Sequence, residues 1–436
     1  MTRKEIMPGV NLTYVQARKF KTNYMSVQLS CPMERRSATY NALLPSVLRR
    51  GTSRYPDMQS FSRALDLLYG TRVSDVVRKK GEIQCEGFTA SCIDDALAPE
   101  GGGRLLESTA DILGDLICSP ATKNGRFIQS YVDSEKVNLI DDIRSVINDK
   151  RSYAAYRLLE EMCAGEPYGI PRLGFEKDAE SVNTMKLYRH YLETTAKAGV
   201  ELFYCGSADI LRVEEAYLSA LSALPRGGAG ENFGTLPHEA RVEPHVVTEE
   251  MDVTQGKLSM GFSCESQDYP ALLLANMIFG GSSMSKLFLN VREKLSLCYY
   301  ASSVLHRQKN IITMSSGIET ENYQRAYDEI LSQLGKVASG DFEDWEIDGA
   351  RENMLSALRA LGDSPAAMED FYLGQAVTGI FDTPEAMTAD VATVDKDRIC
   401  AAACGIKLDT VYFLRGAASA NGEDAAEDTA EEEAGK

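Results

Sequence analysis

Short apolar or alternating segments recur along this chain, each followed by longer stretches with helical spacing. In residues 24–31, Met25, Val27, Leu29 and Cys31 alternate with Tyr24, Ser26, Gln28 and Ser30, which predicts a strand. Residues 258–264 predict a second. Helical spacing follows each: Met58, Phe61, Leu65 and Leu68 recur after a possible Asp57 cap, and residues 271–279 form an apolar helix start after Pro270. Hairpins come next. Residues 71–79 and 82–89 flank Gly81, and residues 298–306 and 311–316 flank a short turn at 307–310. Helical stretches fill about 104–163 and 183–196, then about 321–403. Buried-looking strands close both series, at 200–206 and 410–416. The same order of elements therefore occurs twice. A Gly/Pro cluster at 225–232 separates the two series and reads as a linker.

Strands followed by helices predict α+β units, here two in tandem, each an antiparallel sheet packed with helices. The expected division is 1–225, a linker at 226–245, 246–415, and a tail at 416–436. The tail holds seven acids, one Lys and no large apolar residue, so it is expected to be disordered.

Composition narrows the function. The 436 residues are 44% hydrophobic and 25% charged, which excludes collagen-like, disordered and small disulfide-bonded classes. The net charge is −18, and the tail contributes −6 of it. So acidic a chain is not expected to grip nucleic acid. No apolar run is long enough to cross a membrane, and the N-terminus shows no apolar signal core, so a cytoplasmic protein is expected. The ten scattered Cys fit reduced, buried thiols, and Cys400 and Cys404 lack a second ligand pair nearby in sequence.

Only four His are present, at 190, 238, 245 and 306, and none form H-x-x-x-H or H-x-x-H. P-loop, dinucleotide-binding, nucleophile-elbow and zinc-deaminase motifs are absent. A zinc site made from sequence-local histidines is therefore unavailable, though distant residues can still converge in space.

One block is specific. Phe279-Gly280-Gly281-Ser282-Ser283-Met284-Ser285-Lys286-Leu287-Phe288 precedes Val291-Arg292-Glu293-Lys294-Leu295-Ser296-Leu297-Cys298-Tyr299-Tyr300. It resembles the G-G-x-x-x-S-x-L-F…R-E-K-x-x-L-x-Y signature of the insulinase/pitrilysin metallopeptidase family. Residues 41–52, ending in Gly51-Thr52, stand where that family has its zinc helix, and residues 160–174 resemble a later turn. The resemblance spans roughly residues 10–415 and implies tandem domains like those of mitochondrial processing peptidase.

The departure from the family is chemical. Active members carry H-x-x-E-H just before G-T, two zinc ligands and a general base. Counting back from Gly51-Thr52, those positions are Ala42, Pro45 and Ser46. Pro45 is also expected to perturb a helix. The third family ligand falls at Asp141 or Asp142, which read equally well as a solvated helix face. Arg292 and Tyr299 match the Arg/Tyr pair with which the family's second domain reaches the bound peptide. Both are donors suited to a carbonyl oxygen, and an ion-paired Arg with a packed Tyr is the alternative. Gly280 and Gly281 match a glycine-rich substrate loop of non-catalytic family partners, or simply end a helix.

The resemblance implies a non-catalytic subunit with no metal of its own, which binds peptide beside a paralogous H-x-x-E-H partner holding the zinc. A homodimer is the other assembly. A non-proteolytic binding or assembly protein, accessory to elongation factor P modification, is the alternative reading.

Overall fold

The computed structural model describes residues 1–99, 103–226, 234–379 and 381–416. The acidic tail beyond Gly416 and most of the Gly/Pro cluster therefore lie outside the described residues.

The first series contributes β1 (Thr2–Met7), β2 (Val10–Gln16), β3 (Thr22–Pro32), α1 (Ala38–Arg49), α2 (Met58–Leu67), β4 (Arg72–Lys80) and β5 (Ile83–Ile93). It continues through α3 (Leu105–Cys118), α4 (Gln129–Ser145), α5 (Lys150–Met162), α6 (Glu176–Ser181), α7 (Thr184–Lys197), β6 (Gly199–Gly206) and α8 (Ile210–Ala220). The second contributes β7 (His245–Met251), β8 (Gly256–Cys264), α9 (Tyr269–Asn276), β9 (Cys298–His306) and β10 (Ile311–Ile318). Then come α10 (Tyr323–Ser339), α11 (Asp344–Leu361), α12 (Pro365–Thr378), α13 (Pro384–Ala392), α14 (Lys396–Cys404) and β11 (Ile406–Gly416). Asp57 caps α2 as its sequence predicts, accepting from the Ser60 amide. The stretch at 104–163 is three helices, and that at 321–403 is five.

The duplication is topological. The first sheet runs β1-β2-β6-β3-β5-β4, and the second runs β7-β11-β8-β10-β9. Each has one parallel pair, β2 with β6 and β7 with β11; every other pairing is antiparallel. Strand β7 begins at His245, so the segment expected as linker already enters the second sheet there.

Alternation decides which face each strand residue takes. Met25, Val27 and Leu29 of β3 face one core with α1, α3, α4, α7 and α8. Leu258, Met260 and Phe262 of β8 face the other with α9, α10 and α14. The opposite faces are covered reciprocally. Ala154 and Leu158 of α5 pack on Tyr412 and Leu414 of the second sheet. Met368 and Tyr372 of α12 pack on Phe203 and Cys205 of the first, and Leu373 and Val377 pack on Ile83 and Cys85. Each series thus supplies the helix that covers the other's sheet.

Candidate functional site

The candidate zinc helix, α1, runs through Pro45 without breaking. The proline removes only its own N–H, leaving the Asn41 carbonyl without that helical donor. Ala42 is 4% exposed and belongs to the first core with Leu43, Leu44, Val47 and Leu48. Ser46 Oγ donates to Asp75 Oδ2 at 2.8 Å, and Arg49 Nη1 reaches Asp75 Oδ1 at 3.2 Å. One turn on, Arg50 pairs with Glu135 of α4. Asp141 and Asp142 are exposed on α4. The family's zinc does not fit these residues. A methyl, a pyrrolidine and a hydroxyl already bonded to a carboxylate replace two imidazoles and a base, and the facing polar groups are tied to Arg49 and Arg50.

Arg292 and Tyr299 bracket one turn. The chain leaves a π-helical segment at Leu287–Lys294, passes Ser296 at a φ of 50°, and enters β9, the edge strand of the second sheet. Arg292 is 40% exposed; its guanidinium lies 4.6 Å from the Phe288 ring centre and 3.5 Å from Glu293 Oε1. Tyr299 is 61% exposed, and its hydroxyl donates to Glu319 Oε1 at 2.8 Å. That hydrogen bond to a carboxylate raises the phenol's pKa. Neither side chain fills the core. Gly280 is buried in a π-helical turn, where an added Cβ would lie 2.7 Å from Leu287 Cδ1 and Ser303 Oγ. Close packing against β9 accounts for it. At Gly281, an added Cβ would meet Met277 Sδ at 2.9 Å.

The four His find separate environments. His190 Nε2 contacts Asn41 Oδ1 at 2.6 Å, and burial lowers its pKa to about 4. His306 Nε2 contacts Thr313 Oγ1 at 2.9 Å, and burial lowers its pKa to about 4 as well. His245 lies 3.7 Å from Glu161. His238 differs. It stands in the segment between the two series, yet its side chain is only 2% exposed. Its Nδ1 is 2.5 Å from Glu166 Oε1 and 4.0 Å from Cys163 Sγ, and its Nε2 is 3.2 Å from Asp409 Oδ2. Burial alone would lower its pKa, but hydrogen bonds to Asp409, Cys163 and Glu166 overcome that and raise it to about 10. Lys309 Nζ, 1% exposed, sits 2.7 Å from both Glu82 Oε1 and Glu166 Oε2. Sequence reading placed His238 in the expected linker at 226–245 and assigned it nothing. The available signal was a His in a Pro-containing segment, and its partners are remote in sequence.

Comparison with known proteins agrees with this geometry. The family described as "Peptidase M16 inactive domain" matches residues 182–354. The chain is 34% identical over 418 residues to the "Probable inactive metalloprotease YmfF" of Bacillus subtilis, covering 95% of this chain and 97% of that protein. A conserved protein from Enterococcus faecalis superposes with a TM-score of 0.86 at 26% identity, covering 95% and 98% of the two chains. A peptidase M16 inactive domain from Pseudomonas fluorescens superposes with a TM-score of 0.78 at 14% identity, covering 96% and 98%. All ten Cys are free, and among the described residues no helix is long and apolar enough to cross a membrane. With 34% identity over 95% of its length to an inactive metalloprotease and a matching family model, this chain belongs to the M16 (insulinase/pitrilysin) metallopeptidase family as an inactive homologue.

Proposed function

We propose that this chain is a non-catalytic, peptide-binding subunit that complements a paralogous H-x-x-E-H partner in a heterodimeric zinc peptidase. One observation carries the reading. The zinc positions are occupied by residues with no free donor, whereas Tyr299 stands exposed on the edge strand of the second sheet and Arg292 lies half-buried in the segment just before it. A guanidinium and a phenol placed there can donate to a peptide carbonyl and stabilise the negative charge that develops on it during hydrolysis. Zinc and its activated water belong to the partner; this chain holds and orients the peptide.

The test mixes the purified chain with the paralogue and follows cleavage of an unstructured peptide. Arg292→Ala and Tyr299→Phe are each expected to lower kcat/KM of the pair by about 10²-fold, the usual effect of removing one such donor. Unchanged cleavage refutes the donated pair. Failure of the two proteins to associate refutes the heterodimer and leaves the non-proteolytic binding or assembly role.

A further inference from the structure

We propose that Cys163 Sγ, Glu166 Oε1 and His238 Nδ1 form a binding site for a zinc-type divalent cation, separate from the lost family site and joining the end of α5 to the segment between the two series. Among the described residues, these three ligand atoms all lie within 4.8 Å of one another. The proposal is independent of any peptidase partner.

Local structure aims the three groups at one point. Cys163 is the first residue beyond α5, and its amide still donates to Leu159 O. The chain then turns back, with the Glu166 amide donating to Cys163 O at 3.0 Å, so Glu166 folds over the thiol. His238 arrives from the other side, fixed by its amide donating to Lys309 O at 2.8 Å. A tetrahedral zinc with ligands at roughly 2.0–2.3 Å needs donor separations of about 3.3–3.6 Å. The observed 2.5 Å between His238 and Glu166 must open and the 4.0 Å between Cys163 and His238 must close, each by about 1 Å or less. Side-chain rotation supplies such shifts.

The surroundings are those of a metal site. A ligating imidazole usually donates its other ring N–H to a carboxylate, which fixes the tautomer. His238 Nε2 faces Asp409, a fully buried carboxylate also held by the Arg241 amide at 2.8 Å and the Thr410 hydroxyl at 2.7 Å. Glu166 is oriented likewise, since Lys309 engages Oε2 and leaves Oε1 toward the histidine. The donor set of one sulfur, one nitrogen and one oxygen suits zinc and disfavours calcium and magnesium, which require oxygen ligands.

Glu82, Glu166 and Asp409 gather around the site against Lys309 and Arg241, and a divalent cation bound there takes a Cys163 thiolate and a neutral His238 Nδ1 as ligands. Such an ion would fasten the end of α5, which lies on the second sheet, to the segment joining the two series.

The test uses the full chain, stripped with EDTA and titrated with cobalt(II) chloride. One equivalent is expected to give a thiolate-to-cobalt charge-transfer band with four-coordinate d–d absorption, displaced by one equivalent of zinc. Cys163→Ser should abolish the band and weaken zinc binding at least about 100-fold, while Cys404→Ser, at an exposed thiol, leaves both intact. X-ray absorption of the zinc-loaded wild type should show one sulfur at about 2.3 Å among nitrogen or oxygen neighbours. That measurement stands even if a variant misfolds. A wild type that takes up no stoichiometric metal, a zinc shell without sulfur or with two sulfurs, or a band that survives Cys163→Ser overturns the proposal.

Discussion

Replacing Lys309 by Met keeps most of a long buried stem and deletes its charge. The ammonium is 1% exposed and lies 2.7 Å from one oxygen each of Glu82 and Glu166, whose side chains are 11% and 22% exposed. Breaking a buried pair typically costs 3–5 kcal/mol, because the partner charge is left uncompensated. Here Glu166 keeps His238 and both carboxylates retain some water, so the expected loss is about 2–4 kcal/mol at neutral pH. The pH dependence follows from Glu166. Burial would raise its pKa, but hydrogen bonds from Lys309 and His238 hold it below the usual carboxylate value. A depressed folded pKa contributes stability above the unfolded value of about 4.5, and that contribution is lost as pH falls through the folded value. Lys309→Met removes part of it. The gap between variant and wild type should therefore be full at about pH 7.5 and shrink toward about pH 4, below the unfolded value of Glu166. Urea unfolding with EDTA present, followed by circular dichroism at both pH values, measures this. Adding Glu82→Gln should recover part of the loss and display the coupling as a double-mutant cycle. A Lys309→Met protein within about 0.5 kcal/mol of wild type at pH 7.5, or an equal loss at both pH values, would refute the charge argument.

Three further outcomes are expected. Burial pushes the Glu201 carboxyl up to about 7 despite Arg3 and Asn11; a raised folded pKa favours the native state below about pH 4.5 and that advantage is lost as pH rises through 7. Glu201→Gln should then stabilise by about 1–3 kcal/mol at pH 8 and change little at pH 4 in thermal melts, whereas destabilisation at pH 8 would show that the Arg3 pair dominates. Restoring the motif with Ala42→His, Pro45→Glu and Ser46→His should cost about 2–4 kcal/mol, since position 42 is core. It should also yield no tightly bound zinc at that helix and no peptidase activity alone, so a stable zinc-loaded hydrolase would contradict the reading. Finally, fragments 1–226 and 234–436 should each bind a hydrophobic dye alone and lose that signal when co-expressed, because each lacks the helix that covers its sheet; a separate fragment with native-like dispersion in NMR spectra would refute the mutual dependence.

What was legible in the sequence, and what was not, divides along one physical line. Alternation along β3 and β8 sets which residues face inward, so the strands and the order of elements could be read locally. The candidate zinc positions were counted back from Gly51 and Thr52 onto one helix, α1. Strands β1 and β7 were missed because none of their residues is fully buried, and β2 was missed although Val10, Leu12 and Tyr14 alternate into the core. The helix exchange was invisible for another reason. Ala154, Leu158 and Met162 mark an apolar stripe at four-residue spacing, but a stripe does not say which sheet it covers. Cys163, Glu166 and His238 share that limit, because His238 stands 75 and 72 residues along the chain from the other two.

The two exchanged helices are also chemically unequal. Beneath α5, Tyr412 and Leu414 pack on Ala154 and Leu158, and Glu249 accepts from the Tyr412 and Tyr153 hydroxyls at 2.6 and 2.8 Å. Beneath α12, Ser26 donates to Glu369 at 3.0 Å, Arg78 pairs with the same carboxylate, and the buried Gln28 amide finds no protein partner. Burial raises the pKa of Glu369, which means that its charge is costly there. Both seams therefore combine apolar packing with buried polar groups. Since polar burial is compensated only by intact hydrogen bonds, the unpartnered Gln28 amide is a cost carried at the α12 seam.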